Sequence, residues 1–258
     1  MKKNLLALAF LVGLLTCCKS EDAPIKPVKP TDPGSINKEY MSRAETTFAN
    51  IFKYYWSDKV RMMFGSYPNT LGTPQEPSSP DYDSHAYLWG LGSVVSAFNA
   101  IVQNTDNVDF RMTYESRLKE TLLKYYNTTK EPMCFGCFVN PHDQRLYDDA
   151  IWVGIDLADL YSKTKDSWYL DYAKSVWNFV LSGKDDELGG GVYWDENAKD
   201  SKNTCSNAPA VVLALKLYQI TNDAAYLENG KDIYKWTKSK LQDPSDSVSY
   251  THLRAHET

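Results

Sequence analysis

Asp148 and Asp149 stand side by side at the head of Arg145 to Ser162, which reads RLYDDAIWVGIDLADLYS. Asp favours the cap and first turn of a helix, where its oxygens meet backbone N–H groups without partners. Between Ala150 and Tyr161 the only charged residues are Asp156 and Asp159. A helix apolar nearly all round is buried on several sides. The spacing therefore predicts two carboxylates crowded together at the mouth of a core element. Neighbouring carboxylates in partial burial do not both ionise easily, so one should keep its proton to higher pH. One proton donor beside one anion is an arrangement that cleaves glycosidic bonds. The plainer reading is a pair of acids that only caps a helix, so the surrounding stretches have to decide.

The elements that must position the pair are helical. Apolar and aromatic residues recur at helical spacing near 37–57, 83–104, 107–127, 145–162, 166–182, 206–221 and 223–240. Asp106, Asp166 and Asn222 lie where helices should start, and short polar breaks join helices into hairpins. Gly191 to Trp194 is the one short extended piece expected. The class is all-α.

Three further stretches surround the acids. Asp83 to Ser93 carries Tyr87, Trp89 and two glycines that permit close approach of a neighbour. Gly189 to Gly191 force a turn, directly followed by Tyr193 and Trp194, which reads as an aromatic platform. Ser206 or Asn207 should cap the helix after Cys205, with Pro209 in its first turn. Tyr and Trp are abundant, and their flat apolar faces with polar tips suit sugar rings.

The N-terminus has a separate logic. Lys2 and Lys3 precede an apolar run, Leu5 to Leu15, too short to span a membrane. Leu14-Leu15-Thr16-Cys17-Cys18 resembles a bacterial lipobox, which implies a lipid anchor on Cys18 or Cys17 and a signal peptide over 1–18. The acidic residues that follow, Glu21 and Asp22, resemble a surface-export signal, so the outer membrane or cell surface is the expected location. Residues 19–35 hold Pro24, Pro27, Pro30 and Pro33 and read as an extended linker. The net charge of −5, with no basic cluster, argues against nucleic acid as a partner. Cys134-x-x-Cys137 has only His142 nearby, too few ligands for zinc, and can be a local disulfide or two free thiols. No Ca²⁺ loop or nucleotide motif is present, so no cofactor and no metal are expected.

Leu146-Tyr147-Asp148-Asp149-Ala150-Ile151-Trp152, with Ala86 to Ser96, Leu181 to Glu196 and Asn207 to Tyr218, resembles glycoside hydrolase family 76. These are endo-acting α-1,6-mannanases of the six-hairpin type, and the likeness runs over residues 36–246. It implies an (α/α)6 barrel and cleavage of α-mannan or mannooligosaccharides with retention. Asp148 would be the nucleophile and Asp149 the general acid/base. Retaining enzymes hold their carboxyl groups about 5–5.5 Å apart, which adjacent residues can meet. Trp89, Tyr193 and Trp194 are candidates for the walls of a sugar groove. Tyr147 and Trp152 are further candidates beside the acids, with Trp152 packing behind them. A monomer is expected. Six hairpins need more helices than the seven read here, and residues 247–258 are polar and aperiodic, so an incomplete barrel with exposed apolar helix faces is expected. Two other readings fit the same residues: a mannan transglycosylase, and a non-catalytic glycan-binding surface lipoprotein.

Overall fold

The computed structural model describes residues 33–68, 85–139 and 144–254. The lipobox, the signal peptide and the linker as far as residue 32 lie outside the described residues, as does His142. The chain divides into two compact units, Met1–Glu39 and Tyr40–Thr258. Everything from β1 onward lies in the second.

Among the described residues, seven α-helices carry the fold: α1 Pro33–Tyr55, α2 Leu88–Asn104, α3 Val108–Tyr125, α4 Tyr147–Thr164, α5 Ser167–Ser182, α6 Thr204–Thr221 and α7 Ala224–Leu241. Each corresponds to one of the spans read from apolar periodicity. Helix α1 begins inside the stretch read as linker. Proline suits a first turn, because its missing N–H would have had no partner there. Among the described residues, antiparallel ribbons lie between α1 and α2 (β1 Trp56–Ser57 with β2 Met62–Met63) and between α3 and α4 (β3 Tyr126–Asn127 with β4 Cys134–Phe135), and a third pairs β5 Ser201–Asn203, before α6, with β6 His252–Arg254, after α7. Part of the polar, aperiodic stretch 247–258 is thus paired with β5. The extended piece expected at Gly191–Trp194 is reduced to a bridge between Val192 and Lys184. No described helix is long and apolar enough to cross a membrane.

Helix α4 is the axis of the packing. Ala150, Ile151, Val153, Leu157, Ala158 and Leu160 are buried around most of its circumference, and α2, α5 and α6 pack against it. Gly154 makes the closest approach possible, since a Cβ there would stand 2.8 Å from Val176 and 3.1 Å from Leu213. The two acids inside this apolar helix both have partners. Asp156 accepts from Asn99 of α2 at 2.8 Å and from Ser96, and burial raises its pKa. Asp159 pairs with Lys216 of α6 at 2.5 Å.

The helix starts follow capping chemistry with small shifts. Asp166 caps α5 as expected, accepting from the Trp168 N–H. For α3 and α7 the caps fall one residue later than read, at Asn107 and Asp223. Asn222 instead ends α6 at φ 57°, a left-handed conformation that Asn tolerates. Ser206 and Asn207 are not caps. Helix α6 begins at Thr204, so both lie inside it and Pro209 falls in its second turn. Along α6, Cys205, Ala208, Val212 and Leu215 form an exposed face.

Candidate active site

Asp148 and Asp149 occupy the first turn of α4, as the sequence predicts. They do not cap it. The cap position is Leu146, whose side chain cannot accept a hydrogen bond. The Asp149 N–H donates to Asp148 Oδ1 at 3.1 Å, and the Trp194 indole N–H donates to Asp148 Oδ2 at 3.2 Å. Both oxygens of Asp148 are therefore held.

The environment of Asp149 is different. Burial, and then the neighbouring Asp148, push its pKa up to about 6, while the Cys137 thiol beside it works in the opposite direction. Asp149 lines an open cavity of about 740 Å³ together with Tyr55, Tyr87, Trp89, Phe138 and Gln144. It also lines a smaller one of about 160 Å³ with Trp89, Ser93, Ser96 and Trp152. The larger volume falls in the range that holds small ligands. Asp148 lies toward Trp194 and Cys205; burial, and then the Asp148 carboxylate, push the Cys205 thiol up to about 11.

The aromatic candidates divide into two groups. Trp89 is 57% exposed and borders both cavities. Trp152 is 43% exposed on the rim of the smaller cavity, rather than packed behind the acids. Trp194 keeps a free face while its indole N–H holds Asp148. Tyr147 and Tyr193 are corrections to the sequence reading, for burial leaves neither with ring surface for a sugar. Tyr147 stacks on Phe179 with centroids 4.3 Å apart, and Gly183 lies against its ring. Tyr193 sits under Lys202, whose ammonium is 4.4 Å from the ring centroid. Cys134 and Cys137 are free, buried thiols.

The glycine turn is built as its residues require. Gly189, Gly190 and Gly191 have φ of 76°, 119° and 78°. A Cβ on Gly191 would stand 2.5 Å from Trp236. Buried Lys202 ties the turn together, donating to the Asp185 carboxylate at 2.7 Å and to the carbonyls of Glu187 and Gly190, each at 2.8 Å. Asn207 holds the next residue from both sides. It accepts from the Val192 N–H at 2.7 Å and donates to the Val192 carbonyl at 2.8 Å. Sequence reasoning missed both roles. A lone Lys and a lone Asn flanked by helix signals give no hint of partners a dozen residues away.

The family model for Glycosyl hydrolase family 76 matches residues 39–257. The chain belongs to glycosyl hydrolase family 76. A family 76 glycoside hydrolase from a bovine Bacteroides thetaiotaomicron strain is 30% identical, with a TM-score of 0.72 over 83% of this chain and 45% of that one. A family 76 mannosidase from Bacteroides thetaiotaomicron is 26% identical, with a TM-score of 0.73 over 85% of this chain and 58% of that one. The fold also matches an inactive variant of a Salegentibacter α-1,6-mannanase in complex with α-1,6-mannotetrose, at 23% identity and a TM-score of 0.64 over 84% of this chain and 56% of that one. The chain spans about half the length of these solved family 76 structures. No curated protein matches it.

Proposed function

We propose that the protein is an endo-acting glycoside hydrolase that cleaves α-1,6-mannosidic bonds in mannan with retention. The observation that carries this is the unlike treatment of two adjacent carboxyl groups. Asp149 holds a proton to about pH 6 and faces the cavities. Asp148 has both oxygens oriented by N–H donors. In the first step Asp148 attacks the anomeric carbon while Asp149 gives its proton to the departing glycosidic oxygen. A covalent mannosyl ester forms on Asp148. In the second step Asp149 takes a proton from water, which displaces Asp148. Trp89 and Trp152 offer indole faces to sugar rings beside Asp149.

The relatives support the substrate class. One is a mannosidase, and the Salegentibacter mannanase was inactivated by replacing two adjacent aspartates. The lipobox supports anchoring at the outer membrane or cell surface through Cys18 or Cys17. The test is product analysis on α-1,6-mannan. The wild type should yield shorter oligosaccharides, and Asp148→Asn and Asp149→Asn should each abolish them. Undiminished cleavage by either variant removes the mechanism.

A further inference from the structure

Arg145 has no exposed surface. Its Nε and Nη2 donate to the two oxygens of Glu196 at 2.8 and 2.5 Å, and Nη1 donates to the carbonyls of Lys130 and Pro132 at 3.2 and 2.7 Å. The guanidinium lies 4.7 Å from the Phe179 ring centroid. Lys130 adds a second cation to Glu196 at 3.0 Å. A buried ion pair is poor evidence for stability, because desolvation offsets its attraction, and fixing a register is its better-supported use.

A register is what this pair stands beside. The Glu196 N–H donates to the Arg145 carbonyl at 3.2 Å, and the Tyr147 N–H to the Trp194 carbonyl at 3.0 Å. Between them, Leu146 and Asp195 form an antiparallel bridge. Residues 145–147 and 194–196 thus run side by side, with the ion pair at one end and Trp194 at the other. Asp148 follows Tyr147 at once. A slip of one residue would turn the Trp194 side chain to the opposite face of this pairing.

We propose that the buried Arg145–Glu196 pair is a positioning device for Asp148, locking 194–196 against 145–147 so that the Trp194 indole N–H reaches Oδ2. The other groups beside Asp148 are Asp149 on its own helix, Cys205 of α6 and Cys137 after β4. With Oδ1 on the Asp149 amide and Oδ2 on the indole, the plane of the carboxylate is set before a sugar arrives. The value of that orientation rests on Asp148 being the nucleophile. The hydrogen bond itself can be read without turnover.

The experiment is a ¹H–¹⁵N spectrum of the indole N–H groups of the full chain. The cross-peak lost in Trp194→Phe identifies Trp194. It should lie downfield and exchange slowly in the wild type, and Asp148→Asn should move it. Glu196→Gln should also move it and speed its exchange, with the other indoles unchanged. Lys130→Met, which removes only the second cation, should leave it in place. Arg145→Lys keeps the charge but loses the two-point geometry, and it should reproduce the Glu196→Gln shift. A Trp194 signal indifferent to Asp148→Asn, or unmoved in a folded Glu196→Gln or Arg145→Lys protein, overturns the proposal. So does loss of fold in both pair variants, which would make the pair a stability element only. Absence of mannan cleavage would bear on the proposed function and leave this result standing.

Discussion

Asp149→Asn should stabilise the protein at neutral pH and do nothing in acid. The folded state holds the Asp149 proton more tightly than the unfolded chain does, because its pKa rises from 3.8 to about 6. Stability is therefore lost as pH climbs from about 4 through about 6, and the full loss is present above that. At about 1.4 kcal/mol per tenfold change in proton affinity, the ceiling is about 3 kcal/mol. Asp149 borders open cavities, and solvent screening lowers the expected gain to about 1–2 kcal/mol. Asn keeps the shape and cannot ionise. The assay is urea unfolding of wild type and variant at several values between pH 4 and pH 8. The variant's advantage should be greatest at the alkaline end and close to zero at the acid end. Equal stability at the alkaline end, or a difference that does not change with pH, would refute the claim that burial and Asp148 strain the Asp149 charge.

Gly183→Ala should cost about 1–3 kcal/mol, because its Cβ would run into a Tyr147 ring already stacked on Phe179. Gly92→Ala, which meets only Val153 at 3.7 Å, is the control; equal denaturation midpoints for the two variants would contradict the packing at Tyr147. Cys205, pushed up to about 11 by burial and by Asp148, should react slowly with iodoacetamide at pH 8, and Asp148→Asn should quicken it; an unchanged rate would separate the two groups. If Asp149 is the acid, kcat/KM on mannan should fall on the alkaline side with a limb near its pKa of about 6; a flat profile across that region would assign the proton to another group.

The helices were legible because their apolar spacing persists over several turns, and α4 stood out because its apolar face is nearly continuous. Their ends were less so. Asn107 and Asp223 do the work read for Asp106 and Asn222, since adjacent Asx residues compete for cap and left-handed positions and sequence does not rank them. The ribbons have two or three residues per strand, too few for any alternation to register. The acid pair was readable from its own environment, but its partners were not. Trp194 and Cys205 reach it from distant parts of the chain, and Cys137 from just after β4. Tyr147 and Tyr193 show the limit of reading aromatics as platforms. The same ring serves a core or a groove, and only the neighbours, here Phe179 and Lys202, decide which.

The proposed chemistry is tested most directly by trapping its intermediate. Asp149→Ala, given an aryl glycoside of α-1,6-linked mannose whose leaving group needs no proton, should accumulate a covalent glycosyl adduct, and peptide mapping should place it on Asp148. An adduct on another residue, or continued turnover in Asp148→Ala under the same conditions, would contradict the assignment of these two carboxylates.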